Sequence, residues 1–579
     1  MAARSRGPIL FLVPARGGSR RIPRKNLREV AGIPLVGHAV RTARLTAGQL
    51  PGGPHIVACS TDDAEIAAAA RAWGAEIIDR PAHLATDKAT SVDAVIHALD
   101  AVEASGRRPS ALVLLQPTSP LTEPSDVVVA LELFEGAAGR GVVSVMRTHP
   151  VAWHRARDLE GVLRDPPPSD AQLLLTGAFY ICVTDAVRQT RSLAHPGATL
   201  GLEVPADRSV DIDEPSDLIS AEQLAMARPV TPVPVGDRVI GQGPVFVIAE
   251  AGVNHNGDEQ LAHRLIDAAA GAQADAVKFQ TFDPVSLAAT AAPLADYQRA
   301  AGETGDQRQM LARLALPDDA WPRLQAHAHE RELAFLSTPF DDASARLLDG
   351  LGVPAFKVGS GELTNIPFLV RLARYGRPML VSTGMADMVE VAAAVDAIRL
   401  AGNLRLALFH CVSAYPARVE DANLRAIATM RAAFGVPTGW SDHTPGTELP
   451  IAAAALGASM IEKHVTLDRT MPGPDHAASL EPDEFGALVA AVRASEAAIG
   501  SGRKVPVDSE RPIARVARRS LHWRRSLPRG HAVIEDDLIA LRPGIGLSPA
   551  RLREFVGRTT ARAVEAGTTV ADEDFEAGA

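Results

Sequence analysis

Cysteine is nearly absent: the 579 residues hold three, Cys59, Cys182 and Cys411, in separate strand-like runs with no paired spacing. That excludes a disulfide framework or a thiolate zinc site and fits a reducing cytoplasm. Positive charge is in deficit, 59 Lys and Arg against 69 Asp and Glu for a formal charge of -10. No global basic field therefore draws in nucleic acid or an anionic membrane, and an anionic ligand has to be held by local sites. No run of 18 or more apolar residues exists, so no segment reads as a membrane span. Arg4 and Arg6 precede an apolar stretch, but Pro8 to Pro14 is too short for a secretory signal and runs straight into a polar Gly-rich turn, as a first buried strand does. Nor is there a Gly-Lys-Ser/Thr phosphate loop or a Gly-x-Gly-x-x-Gly turn after that strand.

What is present is an ordinary globular composition, 46% apolar and 22% charged, long enough for about four domains, or fewer if one is a large barrel. Residues 8 to 225 alternate apolar runs (Ile9 to Pro14, His55 to Ser60, Ala111 to Gln116, Val142 to Met146, Ala178 to Val183) with helical stretches such as Ser91 to Ala104 and Ser125 to Leu133. That pattern predicts an open, mainly parallel α/β sheet. The three prolines of Arg228-Pro-Val-Thr-Pro-Val-Pro-Val-Gly236 predict an extended, stiff connector. Eight further strand runs then follow: Val245 to Glu250, Ala276 to Gln280, Ala334 to Thr338, Ala355 to Gly359, Met379 to Thr383, Leu406 to His410, Thr438 to Asp442 and Ser459 to His464. Eight strand-helix units close a (β/α)8 barrel, and every run ends in polar residues, which a barrel gathers at one mouth. Past residue 505 a basic, Pro/Gly-punctuated tail reads as a small β-rich domain. The expected boundaries are 1–227, a connector at 228–240, 241–505 and 506–579.

Pro14-Ala-Arg-Gly-Gly-Ser-Arg-Arg-Ile-Pro-Arg-Lys-Asn26 follows the first strand. Its glycines let backbone approach phosphate oxygens, and Arg16, Arg20, Arg21 and Lys25 supply cations for a triphosphate. Asp211 and Asp213, two apart on an expected strand, would point one way and share a Mg²⁺. With Asp79-Arg-Pro-Ala-His-Leu-Ala-Thr-Asp87, Leu115-Gln-Pro-Thr-Ser-Pro120, Gly177-Ala-Phe-Tyr180 and Ser209-Val-Asp-Ile-Asp213, this loop resembles the CMP-sialic acid synthetases, the acylneuraminate cytidylyltransferases, over residues 8 to 225. The resemblance implies a Rossmann-like nucleotidyltransferase fold and attack of a nonulosonic acid's anomeric hydroxyl on the α-phosphorus of CTP, releasing pyrophosphate. It puts Arg16 and Lys25 on the CTP phosphates, Arg80 and Asp87 at the cytidine and Gln116 at the sugar acid. Two stretches depart from the family pattern: Ser19-Arg20-Arg21 stands where Ser-Lys-Gly is usual, and Gln172-Leu-Leu-Leu-Thr-Gly177 lacks the usual Arg-containing segment ending in Asn-Gly.

In the barrel, His443 and His464 end neighbouring strands, where two imidazoles can take adjacent positions on one Mn²⁺ or Mg²⁺. Lys278 and Lys357 lie inside apolar strand runs, a poor place for a surface lysine. The ordered motifs Ile248-Ala-Glu-Ala-Gly-Val-Asn-His-Asn-Gly257, Val277-Lys-Phe-Gln-Thr281, Phe356-Lys-Val-Gly-Ser-Gly-Glu362, His410-Cys-Val-Ser-Ala-Tyr-Pro416, Ser441-Asp-His-Thr444, Glu462-Lys-His464 and Pro472-Gly-Pro-Asp475 resemble the sialic acid synthases from 245 to about 500. These condense phosphoenolpyruvate with an N-acylmannosamine to a nine-carbon 2-keto acid and phosphate. The resemblance implies that Lys278 and Lys357 hold phosphoenolpyruvate and that Glu250, Glu362, Tyr415 and Asp475 contact or position the sugar. Gln280, Thr338, Ser382 and Ser413 join the substrate site, while His255, Asn256 and His410 stand as secondary candidates. The tail, with Leu541-Arg-Pro-Gly-Ile-Gly546, resembles the antifreeze-like (SAF) domain appended to these synthases, which implies a homodimer or larger assembly with Arg542 reaching a partner's sugar site. The expected protein is a bifunctional sialic acid enzyme whose barrel makes the acid that the first domain activates. The same chemistry on a legionaminic-type acid, or one domain serving only as a binding module, are the alternatives.

Overall fold

The computed structural model describes residues 7–86, 88–137, 140–148, 172–195, 198–300 and 302–576. It divides into two compact units, Met1–Ala498 and Ile499–Ala579. Strand β1 (Ile9–Pro14) is an unbroken apolar run because neighbours bury both of its faces, as in a central parallel strand. With β2 (Ile56–Thr61), β3 (Glu76–Asp79), β4 (Ala111–Leu115), β5 (Gly141–Thr148), β6 (Gln172–Val183) and β7 (Thr199–Glu203) it forms a seven-stranded sheet of order β3-β2-β1-β4-β6-β5-β7. Only β6 runs antiparallel to its neighbours, so the sheet is mainly parallel. Because β2 and β4 flank β1 on opposite sides, a crevice opens beyond the carboxyl end of β1. Helix starts are set locally: Asp63 Oδ1 accepts from Glu65 and Ile66 N–H (2.9 and 3.0 Å), and Thr90 with Asp93 forms a capping box before Ser91–Ala104.

Each of the eight later runs forms one strand of a closed parallel barrel: β8 (Phe246–Gly252), β9 (Ala276–Thr281), β10 (Ala334–Pro339), β11 (Phe356–Val358), β12 (Met379–Ser382), β13 (Leu406–Cys411), β14 (Thr438–Asp442) and β15 (Met460–His464). Pairing of β8 with β15 closes the ring. Successive strand residues face opposite sides, so one set fills the interior and the other meets the helices. Low in the barrel the inward set is one apolar cluster of Phe246, Ile248, Ala276, Leu336, Ala355, Leu380, Ala407, Phe409 and Met460. Two residues further along their strands, the same alternation brings Glu250, Lys278 and Glu462 inward. Sequence and topology thus put charge on top of an oily floor.

The proline-rich segment is extended, as expected of a stiff connector, but it is also paired and packed. Val233–Val235 pairs with Arg238–Ile240 as a hairpin, and Val233, Val235 and Ile240 join the apolar cluster at the amino-terminal end of the barrel. Valines alternating with Pro234 give the hairpin one apolar face, and burying that face against the barrel overrides the tendency of prolines to stay solvated. The sheet domain also packs along the barrel's flank. Arg41, on the helix Leu35–Gln49, grips Asp396 of the barrel helix Met388–Leu400 through three hydrogen bonds of 2.7 to 3.1 Å, and its guanidinium lies 5.1 Å from the Phe434 ring centre. Gly32, at φ +71°, approaches Thr429 so closely that a Cβ would fall 2.6 Å from its methyl. The pair is mostly withdrawn from water, the side chains being 12% and 8% exposed. Asp396→Ala is therefore expected to destabilise the first unit by about 2–3 kcal/mol, because an unpartnered cation stays behind. Joint replacement Arg41→Met with Asp396→Leu is expected to regain most of the loss, read as the urea midpoint.

The second unit pairs strands β16 (Ser520–Trp523) and β17 (Leu538–Leu541) over a core that includes Leu521, Trp523, Val533, Phe555 and Phe575. The fully buried carboxylate of Asp537 ties its loops by accepting from Arg525, His531 Nε2 (2.9 Å) and Ile534 N–H (2.9 Å). Arg542 is exposed in the turn after β17. Among the described residues no helix is long and apolar enough to cross a membrane.

Candidate active sites

The loop leaving β1 lies at the sheet's crevice. Gly17 N–H donates to Asp62 Oδ1 (3.0 Å), and a Cβ there would meet the Asp63 carboxylate at 2.9 Å, so a side chain at this turn would crowd Asp63. Buried Asn26 donates to the Arg16 carbonyl (2.9 Å) and closes the loop. Lys25 Nζ donates to the Ile212 carbonyl (2.7 Å) and to Asp213 Oδ1 (3.1 Å). A cleft of about 520 Å³ results, lined among others by Arg16, Arg20, Arg21, Lys25, Arg80, Gln116 and Asp213. Arg80 is buried, with Nε and Nη2 on Ser60 Oγ (3.1 Å) and the Ser60 carbonyl (2.6 Å). Four cations and Lys25 around one cleft suit a polyanion. Asp87 lies outside the described residues.

One expectation is corrected here. Asp211 and Asp213 are not on a strand: their segment is extended but pairs with no strand. Ile212 between them is buried and donates its N–H to the Thr118 carbonyl (2.8 Å), so the flanking carboxylates both stay exposed. Asp213 lines the cleft and is also 3.4 Å from Arg21, whose side chain thus reaches it. Exposed carboxylates are the hard oxygen donors that Mg²⁺ takes.

The barrel mouth centres on four buried charges. Lys278 Nζ is 2.7 Å from Glu250 Oε2, 4.0 Å from Glu462 Oε1 and donates to Thr338 Oγ1 (3.2 Å). Lys357 Nζ donates to Ser382 Oγ (2.8 Å) and Glu462 Oε1 (3.2 Å) and lies 5.0 Å from the Phe409 ring centre. Gln280 donates to Glu250 Oε1 (3.0 Å) and Ser441 to Glu462 Oε1 (3.0 Å). Burial alone would push the Glu462 carboxyl up, but the two ammonium groups outweigh it and hold it well below the usual carboxylate range. Glu250 goes the other way, raised by burial and by Glu462 against the pull of Lys278. Burial lowers Lys357 despite Glu462, whereas for Lys278 the two carboxylates outweigh burial and raise it. The interior thus holds two cations against two acids, one of the acids held firmly ionised.

Beside this group stand the two histidines, ring centres 5.5 Å apart. His443 Nδ1 is bonded to the Val412 carbonyl (2.8 Å), which makes it the protonated nitrogen and leaves Nε2 with a lone pair. His464 is held well below its ordinary range by burial and by neighbouring His443 and Lys278, so it is neutral at pH 7, and its Nδ1 has no hydrogen-bond partner. Burial alone would lower His443 too, but Cys411 and the Val412 carbonyl outweigh it and raise it; an imidazole in its neutral form, with an unused lone pair, fits a divalent metal. Among the described residues no group of three or more His, Cys, Asp or Glu converges as a ligand set, so any metal here has positions open to other ligands. Asp475, 3.8 Å from His464 Nδ1, is pushed up to about 6 by burial and by Glu250. Tyr415 packs its ring 4.1 Å from that of His443.

Glu250, Lys278, Gln280, Thr338, Lys357, Ser382, Tyr415, His443, His464 and Asp475 are thus brought together at the mouth. Ser413 packs against Gly384, where a Cβ would collide with its hydroxyl. Glu362 is half-buried and accepts from Asn365 Nδ2 (2.8 Å) within its own turn. Of the secondary candidates, His410 turns to the Ala422 carbonyl (2.9 Å), and His255, lowered to about 4 by burial, accepts from Gly257 N–H (3.1 Å), both as framework groups. Asn256 ties its loop to the Pro472 carbonyl (2.9 Å). Glu462, which joins the two lysines, reads in the sequence as a polar strand end in the motif Glu462-Lys-His464 but is given no role there, although its place two residues before His464 on one strand carried the signal. Tyr297, whose ring centre is 5.1 Å from that of Tyr415, had no such signal because its segment belongs to no strand.

Comparison with known proteins agrees with this architecture. A cytidylyltransferase model matches residues 10–174, the NeuB family model 265–504 and a SAF domain model 518–576. The chain is 44% identical to the N,N'-diacetyllegionaminic acid synthase of Legionella pneumophila over 57% of its own length and 95% of that protein. It is 42% identical to the synthase of the same name from Campylobacter jejuni, over 54% of this chain and 95% of that one. Human N-acetylneuraminate-9-phosphate synthase is 34% identical over 58% and 94%. With its barrel charges, paired histidines and this extent of identity, the chain is an enzyme of the NeuB family, with a cytidylyltransferase domain ahead of its barrel and a SAF domain behind it.

Proposed function

We propose that the barrel condenses phosphoenolpyruvate with an unphosphorylated N-acyl hexosamine and that the first domain joins the resulting nonulosonic acid to CMP. The observation that carries the reading is the Glu250–Lys278–Glu462–Lys357 group beside His443 and His464. Lys278 and Lys357 bind the phosphate and carboxylate of phosphoenolpyruvate, with Thr338 and Ser382 orienting the two ammonium groups. Glu462 fixes both lysines for that task. Asp475, Tyr415 and Glu250 position the sugar so that its aldehyde carbon meets the enol carbon of phosphoenolpyruvate; as the C–C bond forms the aldehyde oxygen takes a proton, water adds at the carbon bearing the phosphate ester, and phosphate departs from it to leave the 2-keto acid. His443 and His464 would hold a Mn²⁺ or Mg²⁺, which when bound acts as a Lewis acid on the aldehyde oxygen.

In the first domain Arg16 and Lys25 hold the CTP phosphates, Arg80 and Gln116 line the cleft for cytidine and sugar acid, and Asp211 and Asp213 would hold the Mg²⁺ that offsets charge on the leaving pyrophosphate. The acceptor is unphosphorylated because the product passes to a cytidylyltransferase in the same chain without an intervening dephosphorylation. A 2,4-diacetamido-2,4,6-trideoxy hexose is favoured over N-acetylmannosamine because identity is 44% and 42% to the two legionaminic acid synthases and 34% to the human enzyme.

The test is to incubate the full chain with phosphoenolpyruvate, CTP, Mg²⁺, Mn²⁺ and either hexose and to weigh the products. A CMP-linked acid formed faster from the trideoxy hexose is expected. A faster reaction with N-acetylmannosamine overturns the choice of acceptor, and no acid from either overturns the synthase reading.

A further inference from the structure

We propose that Tyr297 is a specificity-determining residue of the barrel site, forming with Tyr415 an aromatic wall against which the acceptor's apolar substituent is read. The inference rests on the synthase reading above and deepens it.

The segment between β9 and the flanking helix Ala320–Glu330 is unusually long and contains three short helices, Pro284–Leu287, Asp296–Ala300 and Gln307–Leu314. It has its own apolar cluster of Leu294, Met310 and Leu314, with Phe282 and Leu311 packed on it, and the cluster's fourth buried member is Val253 from the loop after β8. Gly257 of that loop, at φ +75°, passes so close to the Arg313 carbonyl that a Cβ would collide with it. The segment is therefore seated on the first loop of the mouth, the stretch Val253 to Gly257, rather than on the barrel's helical layer.

This seating carries Tyr297 to the site. Its ring centre is 5.1 Å from that of Tyr415, tilted by 32°, and Tyr415 in turn is 4.1 Å from His443 and 6.0 Å, edge-on, from His464. Tyr297 is thus the outer member of a run of rings that ends at the paired histidines. Its pose is fixed by the next residue: Gln298, 8% exposed, accepts from Ala295 N–H (2.8 Å) and donates to the Tyr297 hydroxyl (3.3 Å). The arginines of the segment are already engaged, Arg299 with Asp296, Arg308 with the Ala288 and Val285 carbonyls and Arg313 with Glu303. Burial raises both phenols, and the other acidic groups acting on them are Asp475 on both and Cys411 and Glu250 on Tyr415.

The mouth is therefore divided. Lysines face the side that takes a trianion, whereas the side with Asp475 offers ring faces and carboxylates. Ring faces attract C–H and methyl groups, and the carboxylates accept from sugar hydroxyls and amides while repelling an anionic substituent. A methyl in place of a hydroxymethyl on the hexose is the difference such a wall can read, and one such group in an apolar pocket is worth about 10–200-fold.

The experiment compares the full chain with its Tyr297→Phe and Tyr297→Ala variants, measuring kcat and KM for N-acetylmannosamine, its 4-acetamido-4,6-dideoxy counterpart and phosphoenolpyruvate. Tyr297→Ala is expected to raise the KM of the deoxy acceptor about 10-fold or more, to leave the KM of phosphoenolpyruvate within about 2-fold, and to bring the kcat/KM ratio of the two acceptors close to one. Tyr297→Phe is expected to keep the wild-type ratio. An unchanged ratio in Tyr297→Ala overturns the proposal, and so does a parallel rise in both KM values, which would make Tyr297 only a support of the segment. CMP transfer to supplied nonulosonic acid serves as the folding control. If the wild-type chain turns over neither acceptor while it still activates supplied acid, the synthase reading fails and this proposal falls with it.

Discussion

Lys278→Met is expected to lower kcat/KM for condensation by about 1,000-fold or more, equivalent to about 4 kcal/mol of transition-state stabilisation, while CMP transfer to supplied nonulosonic acid stays within about 2-fold. The argument is one of charge. Lys278 lies between Glu250 at 2.7 Å and Glu462 at 4.0 Å, and all three side chains are withdrawn from water. With methionine there, two carboxylates share one remaining ammonium, and a trianionic substrate would enter a site of net negative charge. In a low-dielectric interior such a reversal outweighs the few hydrogen bonds lost. Lys278→Arg separates charge from shape: it keeps the cation but cannot keep both the Thr338 contact and the carboxylate contacts in a cavity built for an ammonium, so it is expected to recover less than one tenth of the activity. Equal condensation rates in Lys278→Met and wild type would remove Lys278 from the substrate site. A matching loss of CMP transfer would mean that the variant had damaged the whole first unit.

Much of this site was legible because strand alternation is rigid. Once eight runs were recognised, every second residue had to face one interior, and polar groups at Glu250, Lys278, Lys357 and His464 could share a single mouth. Glu462 obeys the same rule and follows from it. What alternation does not reach is the backbone between strands. The Asp211 and Asp213 pair was expected on a strand, yet the segment has no pairing neighbour and is held extended by burial of Ile212 and by its hydrogen bonds to the Thr118 carbonyl and from Lys25. Tyr297 reaches the mouth through the packing of Val253 against Leu294 and Met310, a long-range apolar contact without periodicity. The hairpin at Val233–Val235 was hidden for the opposite reason: its prolines signal an extended chain correctly, but its destination at the barrel floor depends on the apolar ring it meets there. The grip of Arg41 on Asp396, 355 residues apart, likewise has no local signature.

The positions that alternate the other way hold the second large effect. Between Glu462 and His464, Lys463 faces outward, and its ammonium is bonded to Asp442 and to the Thr444 carbonyl with the side chains 1% and 0% exposed. Asp442 Oδ1 also accepts from Thr444 N–H (3.0 Å) and Oγ1 (2.7 Å). Asp442 and Lys463 are direct partners in the β14–β15 register, and each adjoins one of the paired histidines, so this buried ion pair fixes the two strand ends that set the distance between the imidazoles. Asp442→Ala is expected to destabilise the first unit by about 3–5 kcal/mol, since the Lys463 charge remains buried without a counterion. Asp442→Asn retains an acceptor for Thr444 and is expected to lose less. Joint replacement Asp442→Leu with Lys463→Met removes both charges and is expected to return most of the stability, because the cost lies in the unpaired ion rather than in loss of the pair. Urea midpoints of the three variants decide the matter: an Asp442→Ala midpoint equal to wild type would mean that water reaches Lys463 and that the pair does not hold the strands. Stability and function should also part company in the double variant. Its fold is regained, but the Thr444 loop loses its anchor beside His443, so condensation is expected to remain below wild type at temperatures where the protein is fully folded.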